Sequence, residues 1–337
     1  MTSVAVVGAT GVVGRAMIDL LEERNFPVTS LRLMASERSA GRLVATKWGE
    51  VEVEDLASAD PKGIDIALFS AGGDRSRAHA PRFVDAGAVV VDNSSAFRGD
   101  PNVPLVVVGV NDEAVTAHRG LVANPNCTTM TLMMAAAPLH REAGLTSMVA
   151  TSYQSVSGSG QQGIDELLRQ NSALGDNVRA LASGGWEDPG SEVYARPIAF
   201  NVLPFAGSEV EGGYTDEEMK LVNESRKILY LPDLAVEPTC VRVPVLVGHG
   251  IAATLFFDKP VSASEAVSIL AEASGVEVWQ DRVPTPLDSA GRDEVLVGRI
   301  RETVGVPGGV SLWAVGDNLR KGAALNAVQI AELLVAG

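Results

Sequence analysis

The chain has 337 residues, 46% of them apolar and 20% charged, which is long enough for two domains and too apolar for general disorder. Its 27 Lys and Arg against 42 Asp and Glu leave a formal net charge of −15. That balance excludes an ordinary nucleic-acid binder, which needs clustered cations, and any anionic ligand must rely on a few local cations working against a repulsive field.

The chain opens on Met1-Thr2-Ser3 and passes directly into a strand pattern. With no basic n-region and no cleavage site, a cytoplasmic protein without a signal peptide is expected. Over residues 1–126, β-branched runs predict strands at Val4–Val7, Leu31–Ala35, Ile64–Phe69, Ala88–Asp92, Leu105–Val110 and Leu121–Ala123. Helical patterns cover Val12–Arg24 and Arg75–Ala86. The strand runs are apolar throughout rather than alternating, which suits a parallel sheet covered on both faces and predicts a doubly wound α/β domain.

Thr128–Ala143 then predicts a helix, kinked or interrupted at Pro138. Beyond it, Met148–Val156, Val241–Val247, Ile251–Phe257, Glu294–Ile300 and Val310–Val315 are strand-like, several with alternation. Gly/Pro-rich loops separate them, and the pattern predicts an α+β domain with a largely antiparallel sheet backed by helices. Gly322–Val335 is apolar on most sides, so a buried helix is expected. The resulting division is a nucleotide-binding unit over 1–127, a second domain over 128–317, and a closing helix over 318–337 that packs back on the first. No apolar run approaches the roughly 18 residues of a membrane span. Two cysteines and four scattered histidines make neither a disulfide framework nor a metal-ligand spacing.

Val4-Ala-Val-Val-Gly8-Ala-Thr10-Gly11-Val12-Val13-Gly14 is a strand, a glycine-rich turn and a helix start. Gly8 permits the turn, Gly11 lets the backbone approach a pyrophosphate, and Gly14 lets the helix pack close to the strand. Phosphates would sit on the helix N-terminus, where free N–H groups and the dipole favour anions. The spacing is GxxGxxG rather than GxGxxG, and a ligand-free tight turn is the alternative. At the end of the second strand, where an NAD site places Asp or Glu, the chain has Ser36-Glu37-Arg38-Ser39. A guanidinium and two hydroxyls suit a 2′-phosphate, so NADP is expected over NAD although Glu37 fits it poorly.

Asn124-Pro125-Asn126-Cys127-Thr128-Thr129 follows a strand and opens a helix. A thiol at a helix N-terminus has a stabilised thiolate and a lowered pKa. The Asn126 side chain and nearby N–H groups could bind an oxyanion. The alternative, a small buried hydrophobe, suits Cys240 better, inside the strand-like Thr239–Val247.

Three stretches together resemble the aspartate-β-semialdehyde dehydrogenase family: Gly8–Gly14, Asp92-Asn-Ser-Ser-Ala-Phe-Arg98 and Asn124–Thr129. Ser152–Gly158, Glu217-Glu-Met-Lys220, Arg242–His249 and Asp317-Asn-Leu-Arg-Lys-Gly322 agree, in the family's order and across nearly the whole chain. The resemblance implies NADPH-dependent reduction of L-aspartyl 4-phosphate to L-aspartate 4-semialdehyde with release of phosphate, a step toward lysine, threonine, methionine and diaminopimelate. It further implies a Rossmann domain joined to a catalytic and dimerisation domain, in a homodimer. The N-acetyl-γ-glutamyl-phosphate reductases share the plan, but typically carry Gly before the cysteine and aromatic character after it, where this chain has Asn126 and Thr128. A catalytically silent nucleotide-binding relative is the other alternative.

By that resemblance Cys127 is the acyl-thioester nucleophile, His249 the acid/base and Gln154 the residue that orients the substrate. Arg98, Asn126 and Lys220 form the phosphate site, Arg242 anchors the α-carboxylate, and Glu217 pairs the α-ammonium. Ser70, Ser157, Gly158 and Asn318 join Gly8, Thr10, Gly11, Val12, Val13, Gly14, Ser36, Arg38 and Ser39 as cofactor residues. Read from the residues alone, Lys220 has a blander place. Thr215–Glu218 is a capping box, and Glu217, Lys220, Glu224 and Lys227 form a helical stripe of the kind that normally faces solvent.

Overall fold

A computed structural model describes residues 2–336. The first sheet contains β1 (Thr2–Val7), β2 (Val28–Ala35), β3 (Leu43–Thr46), β4 (Gly49–Asp55), β5 (Ile66–Phe69), β6 (Val89–Asp92) and β7 (Leu121–Ala123) in the order β3-β4-β2-β1-β5-β6-β7. All neighbours pair in parallel except β3 and β4. The central strands are fully covered, as their unbroken apolar runs require, by α1 (Val12–Glu23) and α2 (Gly73–Asp85). β1 and β5 flank the point where strand order reverses, the place where open α/β sheets bind ligands.

Two parts of this sheet differ from expectation. The β3–β4 hairpin occupies a stretch whose Glu50, Glu52 and Glu54 face outward, so its sequence is too polar to read as a strand. Leu105–Val110 forms no strand, although Leu105, Val106 and Val107 are buried; only Leu105 bridges to Ala123. Its polar backbone groups are taken by side chains instead: Asn111 Oδ1 accepts from the Val107 N–H, Asn326 Oδ1 from the Val108 N–H, and Asn326 Nδ2 donates to the Val106 carbonyl.

The second sheet contains β8 (Leu145–Gln154), β9 (Ala235–Arg242), β10 (His249–Phe257), β11 (Val276–Trp279), β12 (Val295–Glu302) and β13 (Gly309–Gly316) in the order β11-β12-β13-β10-β8-β9. Its three inner pairings are antiparallel, and the two outer ones parallel. β9 lies earlier than the expected Val241–Val247. It contains Pro238, which an edge strand tolerates, and the chain after Arg242 leaves the sheet. There the Val245 and Leu246 carbonyls accept the Val156 and Ser157 N–H groups.

The long helix α3 (Cys127–Ala143) fills the space against this sheet and runs unbroken through Pro138. A proline inside a helix costs about 3 kcal/mol. Burial of Met130, Leu132, Met133, Met134 and Leu139 offsets it. Helices α4 (Gln161–Leu174), α5 (Asp216–Ile228), α6 (Ala263–Ala271) and the short α7 (Pro286–Ser289) follow, α5 opening with the Thr215–Glu218 capping box. A π-helical turn at Arg320–Ala324 leads into α8 (Leu325–Ala336), which packs with α1 in the core of the first sheet. No helix among the described residues is long and apolar enough to cross a membrane.

Candidate active site

β7 hands the chain to α3 through Asn124-Pro125-Asn126. Asn126 caps the helix, its Oδ1 accepting from the Thr128 and Thr129 N–H groups at 2.9 and 3.4 Å. Cys127 is therefore the first helical residue. His249 opens β10, fully buried, and its Nε2 lies 3.2 Å from Cys127 Sγ. The glycines beside His249 have a steric reason. Gly248 has φ +91°, and a Cβ there would come 2.8 Å from the Pro286 carbonyl oxygen. A Cβ on Gly250 would come 2.3 Å from the Trp313 ring.

Burial, and then the Glu217 carboxylate, push the Cys127 thiol up to about 11, while Arg242, Arg98 and the Thr128 N–H pull it down. Burial, and then Arg242, push His249 down to about 3. The lowered thiol pKa expected at a helix N-terminus is thus outweighed. A helix terminus supplies typically about 0.3–1 kcal/mol, less than the cost of covering a thiolate beside a carboxylate. Three of the nearby N–H groups are engaged: that of Asn126 donates to Glu224 Oε2 at 2.6 Å, and those of Thr128 and Thr129 go to the cap.

Gln154 ends β8 with its side chain buried. Its Nε2 donates to Thr128 Oγ1 at 2.6 Å and to Glu217 Oε2 at 3.2 Å, and its Oε1 has no protein partner. Glu217 also accepts from Asn126 Nδ2 at 3.0 Å and from Lys220 Nζ at 2.7 Å. Burial opposes its charge, yet Lys220, Gln154 and Asn126 hold the carboxyl down at about 2. Lys220 donates as well to Asp216 Oδ2 at 2.6 Å.

Arg98 donates to the Asn124 and Asn93 carbonyls at 2.8 and 2.9 Å and to Glu224 Oε1 at 3.1 Å. Arg242 ends β9, 6% exposed, with Nη1 donating to the Ser155 carbonyl at 2.7 Å, Nε unpartnered, and the Tyr194 ring 5.8 Å from its guanidinium. Cys127, His249, Gln154, Asn126, Glu217, Lys220, Arg98 and Arg242 thus form one connected cluster, Arg98 joining through Glu224 and Arg242 through Ser155.

The stripe on α5 does not face solvent. Glu217 and Glu224 point inward, and Lys227 Nζ donates to the carbonyls of Arg98, Asp100 and Val103 at 2.8, 2.6 and 2.8 Å. Glu224, Lys227, Ser155 and Tyr194 are site-shaping residues that sequence reasoning missed. Glu224 stood in the stripe and Ser155 in the Ser152–Gly158 stretch, but nothing local marks either as turned inward.

The glycine turn lies at the C-terminal end of β1. Gly8 has φ +89°, and a Cβ there would come 2.2 Å from the Ser70 carbonyl oxygen; a Cβ on Gly14 would come 2.1 Å from that of Gly8. Gly11 caps α1 without a side-chain bond, so the N–H groups of Val12, Val13 and Gly14 open the helix. Thr10 Oγ1 donates to Ser39 Oγ at 3.3 Å, bringing the turn against the end of β2, where Ser36 is half-buried and Arg38 exposed. Ser157, Gly158 and Asn318 gather separately, behind His249: Gly158 lies against His249 and Arg242, and Asn318 Nδ2 donates to Ser157 Oγ at 2.9 Å. Cys240 is fully buried on β9, and burial pushes its thiol up to about 12. No group of three or more His, Cys, Asp or Glu among the described residues could hold a metal ion.

Residues 3–118 match the family model described as semialdehyde dehydrogenase, NAD binding domain, and residues 136–321 the one described as semialdehyde dehydrogenase, dimerisation domain. The aspartate-semialdehyde dehydrogenase of Mycolicibacterium smegmatis is 52% identical over 346 residues, covering 100% of this chain and 99% of its own. That of Corynebacterium glutamicum is 54% identical over 345 residues, covering 99% and 100%. The crystal structure of aspartate semialdehyde dehydrogenase II from Vibrio cholerae complexed with ASA is similar with a TM-score of 0.93 at 43% identity, over 100% of this chain and 98% of that one.

Proposed function

The chain belongs to the aspartate-semialdehyde dehydrogenase family, and from that membership we propose how its residues reduce L-aspartyl 4-phosphate to L-aspartate 4-semialdehyde with release of phosphate, using NADPH. The observation that carries the reading is Cys127 at the start of α3, 3.2 Å from His249 and ringed by Glu217, Lys220, Arg98 and Arg242. A nucleophile alone could serve many reactions. Cations beside it, with the Glu217 carboxylate among them, suit a substrate that carries a phosphate, an α-carboxylate and an α-ammonium.

The residues present fit a dinucleotide. The turn at Gly8 leaves no room for side chains, and the α1 N-terminus offers N–H groups to a pyrophosphate. Ser36, Arg38 and Ser39 beside Thr10 favour a 2′-phosphate and hence NADP. When bound, the dinucleotide supplies the hydride that reduces the acyl group.

Arg242 takes the α-carboxylate, Glu217 the α-ammonium, and Lys220 with Arg98 the phosphate. So held, the acyl carbon is presented to Cys127 Sγ. Attack forms the C–S bond and breaks the C–O bond to phosphate while His249 takes the thiol proton, leaving a thioester, two modest barriers replacing one large one. After reduction, collapse of the thiohemiacetal breaks the C–S bond, releases the aldehyde and returns the proton through His249 to the Cys127 sulfur. Gln154, bonded to Thr128 and Glu217, fixes the substrate's angle of approach. The second domain, matching a dimerisation domain, supports a homodimer. A reducing, cytoplasmic compartment fits a reaction that needs Cys127 as a free thiol. The test is a steady-state assay with aspartate semialdehyde, phosphate and NADP. Sustained turnover, beyond one reduced cofactor per active site, should occur only when all three are present. Turnover with N-acetylglutamate semialdehyde instead would overturn the substrate assignment.

A further inference from the structure

We infer that Lys227 positions Arg98 for phosphate: from α5 its ammonium holds the main chain of the loop that carries Arg98, and so fixes the separation between Arg98 and Lys220. The inference rests on the proposed assignment of those two cations to phosphate.

Arg98 stands on a segment with little order of its own. Among the described residues, the stretch 93–111 forms no helix or strand. Around Arg98 the loop closes on itself through two main-chain bonds, from the Asp100 N–H to the Phe97 carbonyl at 3.1 Å and from the Val103 N–H to the Asp100 carbonyl at 3.2 Å. Both are at the long end for such bonds.

Lys227 supplies what the loop lacks. Its Nζ donates to the carbonyls of Arg98, Asp100 and Val103 at 2.8, 2.6 and 2.8 Å. An ammonium has three hydrogens and no acceptor, so three converging carbonyls saturate it. Burial lowers the Lys227 pKa against the pull of Asp100 and Glu224. A neutral amine would leave one of the carbonyls without a hydrogen, so the ammonium is the form that fits. A lysine in the last turn of a helix ordinarily answers that helix's own carbonyl ends. Lys227 stands in the last turn of α5 but sends its hydrogens to another segment.

The Arg98 guanidinium is oriented from the same helix. Glu224, three residues before Lys227, accepts from Arg98 Nη1 at 3.1 Å and from the Asn126 N–H at 2.6 Å. Arg98 Nε and Nη2 donate to the Asn124 and Asn93 carbonyls. Of the five guanidinium hydrogens, this leaves one on each Nη for an anion. Arg98 and Lys220 line one groove together with Glu224 and Lys227. Thus α5 presents Lys220 directly and grips Arg98 by both its main chain and its side chain. Two cations hold one anion well only at a fixed separation, and a loose loop loses conformational entropy each time it binds. Lys227 is accordingly a positioning residue, acting through Arg98.

The test uses the full-length enzyme in the phosphorolytic direction. Lys227→Met should raise the apparent KM for inorganic phosphate roughly tenfold, the lower end for loss of a charged hydrogen bond, and change that for aspartate semialdehyde less than about twofold. Methionine is a good helix former, so α5 should persist, and the melting temperature checks this. Should that variant not fold, Lys227→Gln, which still donates to part of the loop, carries the same comparison. The effect must run through Arg98: in an Arg98→Ala background, Lys227→Met should raise the phosphate KM no further. A comparable rise in that background would show Lys227 acting as a charge at a distance and would overturn the inference. So would an equal rise in both KM values, the mark of a merely structural role. An unchanged phosphate KM in Lys227→Met, with Arg98→Ala impaired, would overturn the inference and leave the proposed function standing. Parent KM values in Arg98→Ala would instead remove Arg98 from the phosphate site, and the inference with it.

Discussion

Cys127 and Cys240 carry the same chemistry in opposite settings. Cys127 stands at a helix start beside His249, whereas Cys240 lies inside β9 with no space around it. Cys127→Ala should abolish turnover while NADP binding survives, because only the covalent step is lost. Cys240→Ala should retain most activity at a stability cost of about 1 kcal/mol, and assays of the two variants with their melting temperatures check both outcomes. Arg38 is exposed at the end of β2, where the proposed NADP would present its 2′-phosphate. Arg38→Ala should weaken NADP binding by roughly 1.5–3 kcal/mol, the value of a charged hydrogen bond, and leave NAD binding almost unchanged; equal losses by titration would contradict the assignment. Single residues with a local signature were the legible ones: Cys127 in Asn-Pro-Asn-Cys, Gly8 in its turn. Ser155 and Glu224 were not, because what they do depends on a main-chain carbonyl and a helix face whose directions only the fold decides.

At the scale of elements, α5 is the part whose role changed most between sequence and structure. Its alternating charges have the spacing of a solvated face, yet Glu217 and Glu224 turn inward and Lys227 clasps three carbonyls of the Arg98–Val103 loop. Lys220→Ala should raise the apparent KM for phosphate at least tenfold, and that for aspartate semialdehyde much less, whereas Arg242→Ala should do the reverse. Loss of one partner of a desolvated charged contact costs on the order of 2–5 kcal/mol. Unchanged KM values in Lys220→Ala would take Lys220 out of the phosphate site. The π-turn before α8 holds a second buried cation. Lys321 Nζ donates to the Val108 carbonyl, Asn326 Oδ1 and Gln329 Oε1 at 2.8, 3.1 and 2.8 Å, and burial pushes it down to about 7 against the pull of Asp112 and Asp293. Between about 7 and the ordinary 10.5 the unfolded chain then holds one more proton than the folded one. Stability should therefore rise with pH across that window. Lys321→Met should lose this slope and unfold at lower denaturant concentration in urea titrations. Leu105–Val110 was misread as a strand for a related reason: its apolar pattern reports burial, but side chains of Asn111, Asn326 and Lys321 supply the partners a strand would take from a neighbour.

For the whole molecule, the formal charge of −15 and an anionic substrate are reconciled by position. Arg98, Lys220 and Arg242 bring three cations to one cluster, Arg98 against Glu224 and Lys220 against Asp216 and Glu217, so added salt should weaken phosphate binding, since it screens the few attractions that offset a repulsive field. The two-sheet plan was legible because a buried parallel sheet and a half-exposed antiparallel one leave different apolar periods. The β3–β4 hairpin and the true span of β9 were not, because Glu50, Glu52 and Glu54 in one and Pro238 in the other carry local signals that tertiary pairing overrides. The central claim is that these two halves meet to make Cys127 an acyl carrier. Mixing the enzyme with aspartate semialdehyde and NADP in the absence of phosphate, then quenching in acid at short times, tests it most directly. The account predicts a burst of reduced cofactor equal to the number of active sites and an aspartyl thioester on Cys127 by peptide mass spectrometry. A burst without an adduct on Cys127, or an adduct on another residue, would contradict it.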